Sequence, residues 1–250
     1  MTIDVVRVLW LRQLKRYGRS RARIVGSLGQ PLLFLIALGF GFGPVFQRAG
    51  QGNYIQFLAP GVICMTILFT AVFNGIELIW DRQFGFLKET LVAPVPRLHI
   101  MIGRTLGGAT VSMIQGLLVI ILCLIAGFRP QHVSTLPLAV LFMALIAIVF
   151  AALGTTIGSR LQNMQGFQLI MNFLVMPIYF LSGALYPLNN LPVGLRIATR
   201  IDPLTYGIDG LRGAFIGTSH FSTGTNVGVM SAVAVVFLAL GARSFAKIQI

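Results

Sequence analysis

The sequence predicts an all-α integral membrane protein with six transmembrane helices. Of its 250 residues, 56% are hydrophobic and only 10% are charged, whereas a soluble domain carries about 25% charged residues. The mean hydropathy is +0.86. Six apolar stretches approach or exceed the roughly 20 residues that a helix needs to cross a bilayer. This composition excludes both an ordinary soluble fold and a disordered chain.

The predicted spans account for about half of the chain, and the segments between them are too scattered to bury a separate soluble core. The spans cover residues 24–46, 57–80, 105–127, 136–158, 167–186 and 226–242. We therefore expect residues 1–250 to form one transmembrane domain. Cys64 and Cys123 both lie within apolar stretches, so no disulfide framework is indicated.

The distribution of basic residues predicts the orientation in the membrane. The chain has 19 Lys and Arg against 6 Asp and Glu, and fourteen of the basic residues fall on the side of the two termini. The positive-inside rule then places both termini in the cytosol. The net charge of +13 is accordingly interpreted as loop charge facing anionic membrane lipids. No nucleic-acid partner is expected.

Residues 1–23 precede the first span and are predicted to form an amphipathic helix on the cytosolic membrane surface. At about 100° per residue, one face collects apolar side chains and the other collects basic ones. The apolar set is Ile3, Val6, Trp10, Leu14 and Tyr17, and the basic set is Arg12, Lys15, Arg16, Arg19 and Arg23. A basic flank that only fixes the topology is the alternative. The first apolar run is too long for a typical signal peptide.

Motifs of catalytic chemistry are missing from the sequence. It contains no GxxxxGK[ST], HExxH or paired CxxC, so it predicts neither a nucleotide site nor a protein-built metal centre. Glu77 is the only Asp, Glu, Lys, Arg or His within a predicted span. It is either functional or an acid whose carboxylate reaches the headgroups. A membrane domain with no energy source of its own suggests a partner.

The cytosolic segment 81–104 contains the sequence RQFGFLKETLVAPVPR, which is too long for a minimal connector. Apolar side chains recur there at i, i+3 and i+7, which predicts a short amphipathic helix. Such a helix suits docking of a soluble partner, with charge pairs at the rim of the contact. A loop that lies on the lipid is the alternative. The candidate docking residues are Arg82, Phe84, Leu87, Glu89 and Leu91.

The outer segment 187–225 is too apolar for a free loop, and its prolines exclude one continuous helix. Short helices that re-enter the outer leaflet between spans five and six would explain both features. Asp202 is predicted to cap the helix that starts at Pro203, and Asp209 is spaced to pair with Arg212. The predicted outer-gate residues are Tyr186, Pro187, Asp202, Pro203, Tyr206, Asp209 and Arg212.

Taken in order, the basic N-terminus, the six spans, the cytosolic loop, SGALYPLNNLP and DPLTYGIDGLRG resemble the type-2 ABC transporter permeases. That family includes daunorubicin-type drug exporters, nodulation-factor exporters and polysaccharide exporters. The resemblance covers essentially the whole chain. It implies a bacterial inner-membrane exporter subunit without an ATPase of its own. ATP and Mg would then bind in a separate cytosolic ABC ATPase, and this chain would hold no cofactor.

The resemblance further implies that two permease copies form the translocation pathway, as a homodimer or pseudo-dimer. Segment 81–104 would carry the coupling helix, and 187–225 would flank the exit. The GxxxG pairs Gly39/Gly43 and Gly154/Gly158 are expected to suit a close contact between copies. Spans one, two and five would line the pathway. Candidate lining residues are Phe34, Phe40, Phe69, Phe73, Glu77, Phe173 and Phe180.

The leading hypothesis is therefore the permease subunit of an ATP-driven exporter for an amphipathic drug-like, lipid or glycan cargo. An exporter of polysaccharide or lipid-linked glycan with the same organisation is the first alternative. An integral membrane enzyme outside the ABC class is the second. A soluble ATPase that co-purifies with the chain in detergent would distinguish the transporter from the enzyme.

Overall fold

The computed structural model describes residues 2–48, 52–86, 95–131, 133–189 and 191–246. These residues are mostly helical, with no strand among them. Six helices are long and apolar enough to cross a membrane, which confirms the predicted all-α fold with six spans. They are Arg21–Arg48, Tyr54–Gln83, Arg97–Ile125, Leu136–Arg160, Met164–Leu181 and Thr223–Ala246, named spans one to six below.

Span two lies at the centre of the bundle, and spans one, five and six lie at its edge. In the most apolar stretch of span two, 72% of the residues are buried, against 17% in span one and 22% in spans five and six. Span two packs on spans three and four, and span four packs on span six. The edge spans therefore keep large apolar faces that are not covered by the chain itself.

Spans two and four approach until their backbones touch. Gly75 lies against Gly154 and Gly158, and a Cβ added at Gly154 would lie 2.5 Å from a carbonyl oxygen of span two. Glycine permits this approach because it has no side chain in the way. The pair Gly154/Gly158 thus packs within one chain, which corrects its expected role between two copies. Gly39 also faces span two, whereas Gly43 has no such neighbour within 4 Å.

The N-terminal helix, Thr2–Arg19, packs along the beginning of span three. Leu9 and Tyr17 are its buried side chains. Gly103 and Gly107 of span three lie beneath it, and a Cβ at Gly103 would lie 3.0 Å from the Cβ of Leu9. The helix is therefore anchored on protein, and Leu9 lies in the contact although the predicted apolar face did not include it.

Two of the edge spans contain a wide helical turn. Span one is π-helical over Leu35–Phe40, and span five is π-helical over Met171–Val175. Such π-bulges often occur at functional sites in α-helices. Span five ends at Leu181, five residues before the predicted boundary, because the chain turns at Gly183 with a φ of +74°.

Two further helices lie between spans five and six, as predicted. They are Val193–Ile201 and Pro203–Ile216, named the first and second outer helices. Asp202 accepts a hydrogen bond from the backbone N–H of Leu204 at 2.9 Å, which confirms the predicted N-cap. The second outer helix is buried against spans two, four and six. The first exposes apolar side chains, with Ile201 77% exposed.

The first and last described residues, Thr2 and Ala246, belong to helices that meet at the same end of the bundle. The guanidinium of Arg97, at the start of span three, donates a hydrogen bond to the carbonyl oxygen of Ala246 at 2.7 Å. The N-terminal helix packs beside the same part of span three. We call this the terminal end, and the opposite end, which carries the two outer helices, the outer end.

Candidate functional site

Span two carries two buried carboxylates at the terminal end, Glu77 and Asp81, one helical turn apart. Their side chains are only 3% and 7% exposed, and a buried charge is costly unless it is paired. Arg23 donates a hydrogen bond to Glu77 at 2.7 Å, and Arg12 lies 3.6 Å from Asp81. The complete group, named the terminal ion cluster, is Arg12, Arg16, Arg23, Glu77, Asp81 and Arg104.

The terminal ion cluster joins four segments of the chain. Arg12 and Arg16 come from the N-terminal helix, Arg23 from span one and Arg104 from span three, and the two carboxylates come from span two. Arg16 bridges the carboxylates, at 3.7 Å from Glu77 and 3.9 Å from Asp81. Because four cations face two anions, the group carries a formal charge of +2. Any motion of the N-terminal helix must disturb several of these ion pairs together.

Sequence reasoning singled out Glu77 but not the group around it. The structure buries Glu77 against Arg23 instead of directing its carboxylate outward, and adds Asp81, which the sequence had placed in the loop. The partners lie tens of residues away, on helices whose contacts the sequence does not show. One signal was available: two of the six acidic residues are spaced i, i+4 at one span end, which places them on one helix face.

A short chain of hydrogen bonds lies beside the cluster. The hydroxyl of Tyr17 donates to the side-chain oxygen of Gln115, whose amide nitrogen donates to the hydroxyl of Ser27. Burial raises the pKa of Tyr17, partly offset by the charge of Arg23, so the phenol keeps its proton and acts as the donor. These contacts tie the N-terminal helix to spans one and three.

A cavity of about 640 Å³ opens beside the cluster, between spans one, two and five. One part of its wall is polar and includes Arg16, Arg23 and Glu77. The other part is apolar and includes Phe69 and Phe73. Its volume falls within the range of about 300–1,000 Å³ that is typical of small-molecule sites. We call it the terminal cavity.

Of the six predicted lining phenylalanines, four lie at the junction of spans one, two and five, and two lie on the edge of the bundle. Phe69 and Phe73 line the terminal cavity. Deeper in the bundle, Phe34, Phe69 and Phe180 surround the ring of Tyr179, with centroid distances of 5.7–6.4 Å. Phe40 and Phe173 are instead 61% and 80% exposed on the edge of the bundle. The structure thus brings four of the six rings to the junction of spans one, two and five, and it leaves two outside.

Two of the predicted docking residues lie within the described part of the loop. Arg82 donates hydrogen bonds to the carbonyl oxygens of Ser159 and Leu161, at 2.9 and 3.0 Å. It thereby satisfies the last carbonyl groups of span four and fixes the start of the loop. Phe84 is 72% exposed. Leu87, Glu89 and Leu91 lie outside the described residues.

At the outer end, the predicted ion pair between Asp209 and Arg212 does not form. Asp209 instead accepts hydrogen bonds from the backbone N–H groups of His220 and Phe221, at 2.6 and 2.9 Å, and from the Asn226 amide. Successive N–H groups at a turn satisfy a carboxylate without a cation, so Asp209 holds the connection into span six.

Arg212 projects from the second outer helix toward span two. It is buried, and its guanidinium carbon lies 3.9 Å from the centroid of the Phe57 ring. It donates a hydrogen bond to the carbonyl oxygen of Gly183 at 3.2 Å. Burial lowers the pKa of Arg212 to about 10, and the negative charge of Asp209 opposes that shift. The group therefore stays charged near neutral pH and ties three segments together.

The other predicted outer residues lie around this contact. Tyr186 donates a hydrogen bond to the carbonyl oxygen of Leu181 at 3.2 Å, and Tyr206 donates to that of Arg200 at 2.9 Å. Each hydroxyl therefore fixes a turn next to an outer helix. Pro187 lines a second cavity of about 430 Å³, together with Asp209 and Arg212.

The described residues contain no group of three His, Cys, Asp or Glu side chains placed to hold a metal ion. What they do contain is a bundle of membrane-spanning helices with a cavity between its spans and a structured element at its outer end. These are the features of a polytopic membrane permease.

The chain belongs to the ABC-2 type transporter family, whose sequence profile matches residues 4–216. It is therefore a membrane permease subunit of an ABC transporter, and membership of this family implies pairing with an ABC ATPase subunit. The resemblance found in the sequence is confirmed, and a transporter subunit is favoured over the membrane enzyme.

Individual relatives agree with this assignment. The chain is 29% identical to Nodulation protein J of Rhizobium leguminosarum bv. trifolii over 225 residues, which cover 89% of this chain and 85% of the relative. It is 27% identical to the Inner membrane transport permease YadH of Escherichia coli (strain K12) over 231 residues, covering 92% and 90%. Both similarities extend over nearly the whole chain, including the outer helices.

Proposed function

We propose that the chain is the membrane subunit of an ATP-driven exporter, in which two copies form the translocation pathway for an amphipathic cargo. The observation that carries this proposal is the terminal cavity, because it lies between the three spans that the family resemblance assigns to the pathway. Its lining combines charged and polar side chains with apolar and aromatic ones. A glycan linked to a lipid likewise combines a polar part with an apolar part, so the proposal includes glycan export.

A cytosolic ABC ATPase would bind ATP and Mg and seat against segment 81–104. Phe84 supports this part of the proposal, since a phenylalanine that is 72% exposed at the start of a loop fixed by Arg82 is suited to bury in a cleft of a partner. The bacterial inner membrane is the proposed location, with the terminal end in the cytosol. ATP hydrolysis would then act next to the terminal ion cluster.

The second copy would cover the open faces of spans one and five. Both spans flank the terminal cavity, and both expose large apolar side chains such as Ile36 and Phe173. A two-fold arrangement of these faces would enclose the cavity between two subunits. The outer helices would flank the exit, with the exposed apolar side chains of the first one in contact with lipid.

The test is to co-express the chain with ABC ATPase subunits from its own genome and to measure which one it retains in detergent. We expect one ATPase to co-purify, with Phe84→Ala reducing its retention. Val8→Ala removes a similarly exposed side chain, 63% exposed on the N-terminal helix, and serves as the matched control. On sequence grounds, Leu87→Asp should uncouple hydrolysis from transport. Equal retention by the Phe84 and Val8 variants would contradict the docking role.

A further inference from the structure

Within the proposed function, we infer that the terminal cavity selects an anionic amphiphile: a molecule with a phosphate- or carboxylate-bearing head and an apolar tail. Three observations support it: the sign of the charge that the cavity exposes, the exposed amides in its lining, and the apolar side chains in the same lining.

The exposed charge of the cavity wall is positive. The side chains of Arg16 and Arg23 are 40% and 35% exposed, whereas those of Glu77 and Asp81 are 3% and 7% exposed. The carboxylates are thus buried behind the guanidinium groups that face the cavity. Because the terminal ion cluster has two more cations than anions, it retains capacity to bind a further anion through charge-assisted hydrogen bonds.

Two glutamine side chains extend the polar part of the wall. Gln30 of span one and Gln168 of span five line the cavity, and within the described residues neither amide has a hydrogen-bond partner. Both side chains are exposed, so their amides are accessible to a molecule in the cavity. Amide N–H groups donate to phosphate and carboxylate oxygens, so an anionic head would supply the partners that these side chains lack.

The cavity lining also contains apolar and aromatic side chains. Met65, Phe69 and Phe73 come from span two, and Met164 comes from span five. Methionine adapts to irregular apolar shapes, so this surface suits a flexible hydrocarbon tail. Trp80 also lines the cavity, and the Arg16 guanidinium lies 5.8 Å from its ring centroid.

The position of Trp80 provides a direct assay on the purified full-length chain, without any ATPase. The sequence has two tryptophans, so Trp10→Phe leaves Trp80 as the only one. The probe is doxyl-labelled stearate, whose nitroxide quenches nearby tryptophan fluorescence, at a pH where the carboxylate is ionised. Its methyl ester has the same tail and quencher but no charge. We expect the anion to quench at a concentration at least about tenfold lower, as one charged hydrogen bond provides.

Three variants test the residues assigned to the head group. The double variant Arg16→Gln and Arg23→Gln should abolish the preference for the anion over the ester. The double variant Arg19→Gln and Arg21→Gln removes the same two charges from exposed positions that do not line the cavity and should leave the preference unchanged. Glu77→Gln should strengthen anion binding, because it releases Arg23 from its partner and leaves Arg16 with Asp81 alone; a folding defect would not produce this gain.

Competition separates an amphiphile from a simple anion. Unlabelled dodecyl phosphate should displace the quencher, whereas inorganic phosphate at the same concentration should not. Equal quenching by acid and ester, displacement by inorganic phosphate alone, or an unchanged preference in the double arginine variant would each overturn the inference. Failure here would leave the pairing with an ATPase standing, since that pairing is measured separately by co-purification.

Discussion

At the scale of single residues, two of the buried ionisable groups at the outer end, Asp202 and Arg212, lead to predictions. Asp202 is 7% exposed and caps the second outer helix through one carboxylate oxygen, while its other oxygen has no hydrogen-bond partner. Burial raises the pKa of Asp202 from 3.8 to about 7, and the hydrogen bond from the Leu204 backbone N–H opposes the shift. The folded protein thus holds this proton more tightly than the unfolded chain does.

This difference predicts how stability depends on pH. Since the folded pKa is the higher one, the stabilisation by Asp202 is complete below about pH 4 and is lost as the pH rises through about 7. Asn keeps the cap without the charge. Asp202→Asn should therefore raise the midpoint of thermal unfolding in detergent at pH 8 and flatten its decline between about pH 4 and 7, the window between the unfolded and folded pKa values. Asp202→Ala removes the cap together with the charge and is the control: it should flatten the decline in the same way but lower the midpoint at acidic pH.

Substitution of Arg212 is expected to lower the stability of the chain without changing its cargo preference. Arg212→Ala removes the contact with the Phe57 ring and the hydrogen bond to Gly183, which together should cost about 2–4 kcal/mol. Transport should fall uniformly across cargoes as thermal stability falls. Arg212→Lys keeps the charge but loses the planar stacking. Its stability should therefore lie between that of the wild-type chain and that of Arg212→Ala. A changed cargo preference at unchanged stability would refute the structural role.

At the scale of elements, periodicity and apolar length predicted the helices well because they are local properties. The six spans, the cap at Asp202 and the helix that follows it could all be predicted from neighbouring residues. The contacts between helices could not. Helix spacing alone predicts that Asp209 pairs with Arg212. In the structure, the turn after the second outer helix places the N–H groups of His220 and Phe221 against Asp209 instead.

The close contact of spans two and four gives the prediction that belongs to this scale. Gly154→Ala places a methyl group 2.5 Å from a backbone oxygen of span two, and backbone at a helix crossing has little freedom to move. We expect a destabilisation of about 1–3 kcal/mol, measured by thermal unfolding in detergent. Gly43→Ala is matched in size and lies in open space within one chain. A similar loss at both positions would argue against the contact.

At the scale of the whole molecule, the uneven burial of the spans indicates which faces a second copy would cover. Spans one and five flank the terminal cavity and are the least covered together with span six. A second copy on the faces of spans one and five would enclose the cavity, whereas a copy on span six would leave it open to lipid. The proposed pathway therefore requires the first arrangement.

Cross-linking distinguishes these arrangements. The native cysteines are both buried, so a single introduced cysteine reports its own position. Phe40→Cys in span one and Phe173→Cys in span five should each give a covalent dimer with a short bifunctional maleimide in membranes. Val235→Cys in span six, where the native side chain is 66% exposed, should give none. If dimers formed only through span six, the second copy would not cover spans one and five, which would contradict the proposed arrangement.

The composition of the intact complex tests the central claim most directly. Native mass spectrometry of the detergent-purified complex, formed by co-expression with the retained ATPase, counts its subunits. We expect two copies of this 27.2 kDa chain together with two ABC ATPase subunits. A chain that is released alone, or an ATPase bound to a single copy at every protein concentration, would contradict a two-copy, ATP-driven exporter.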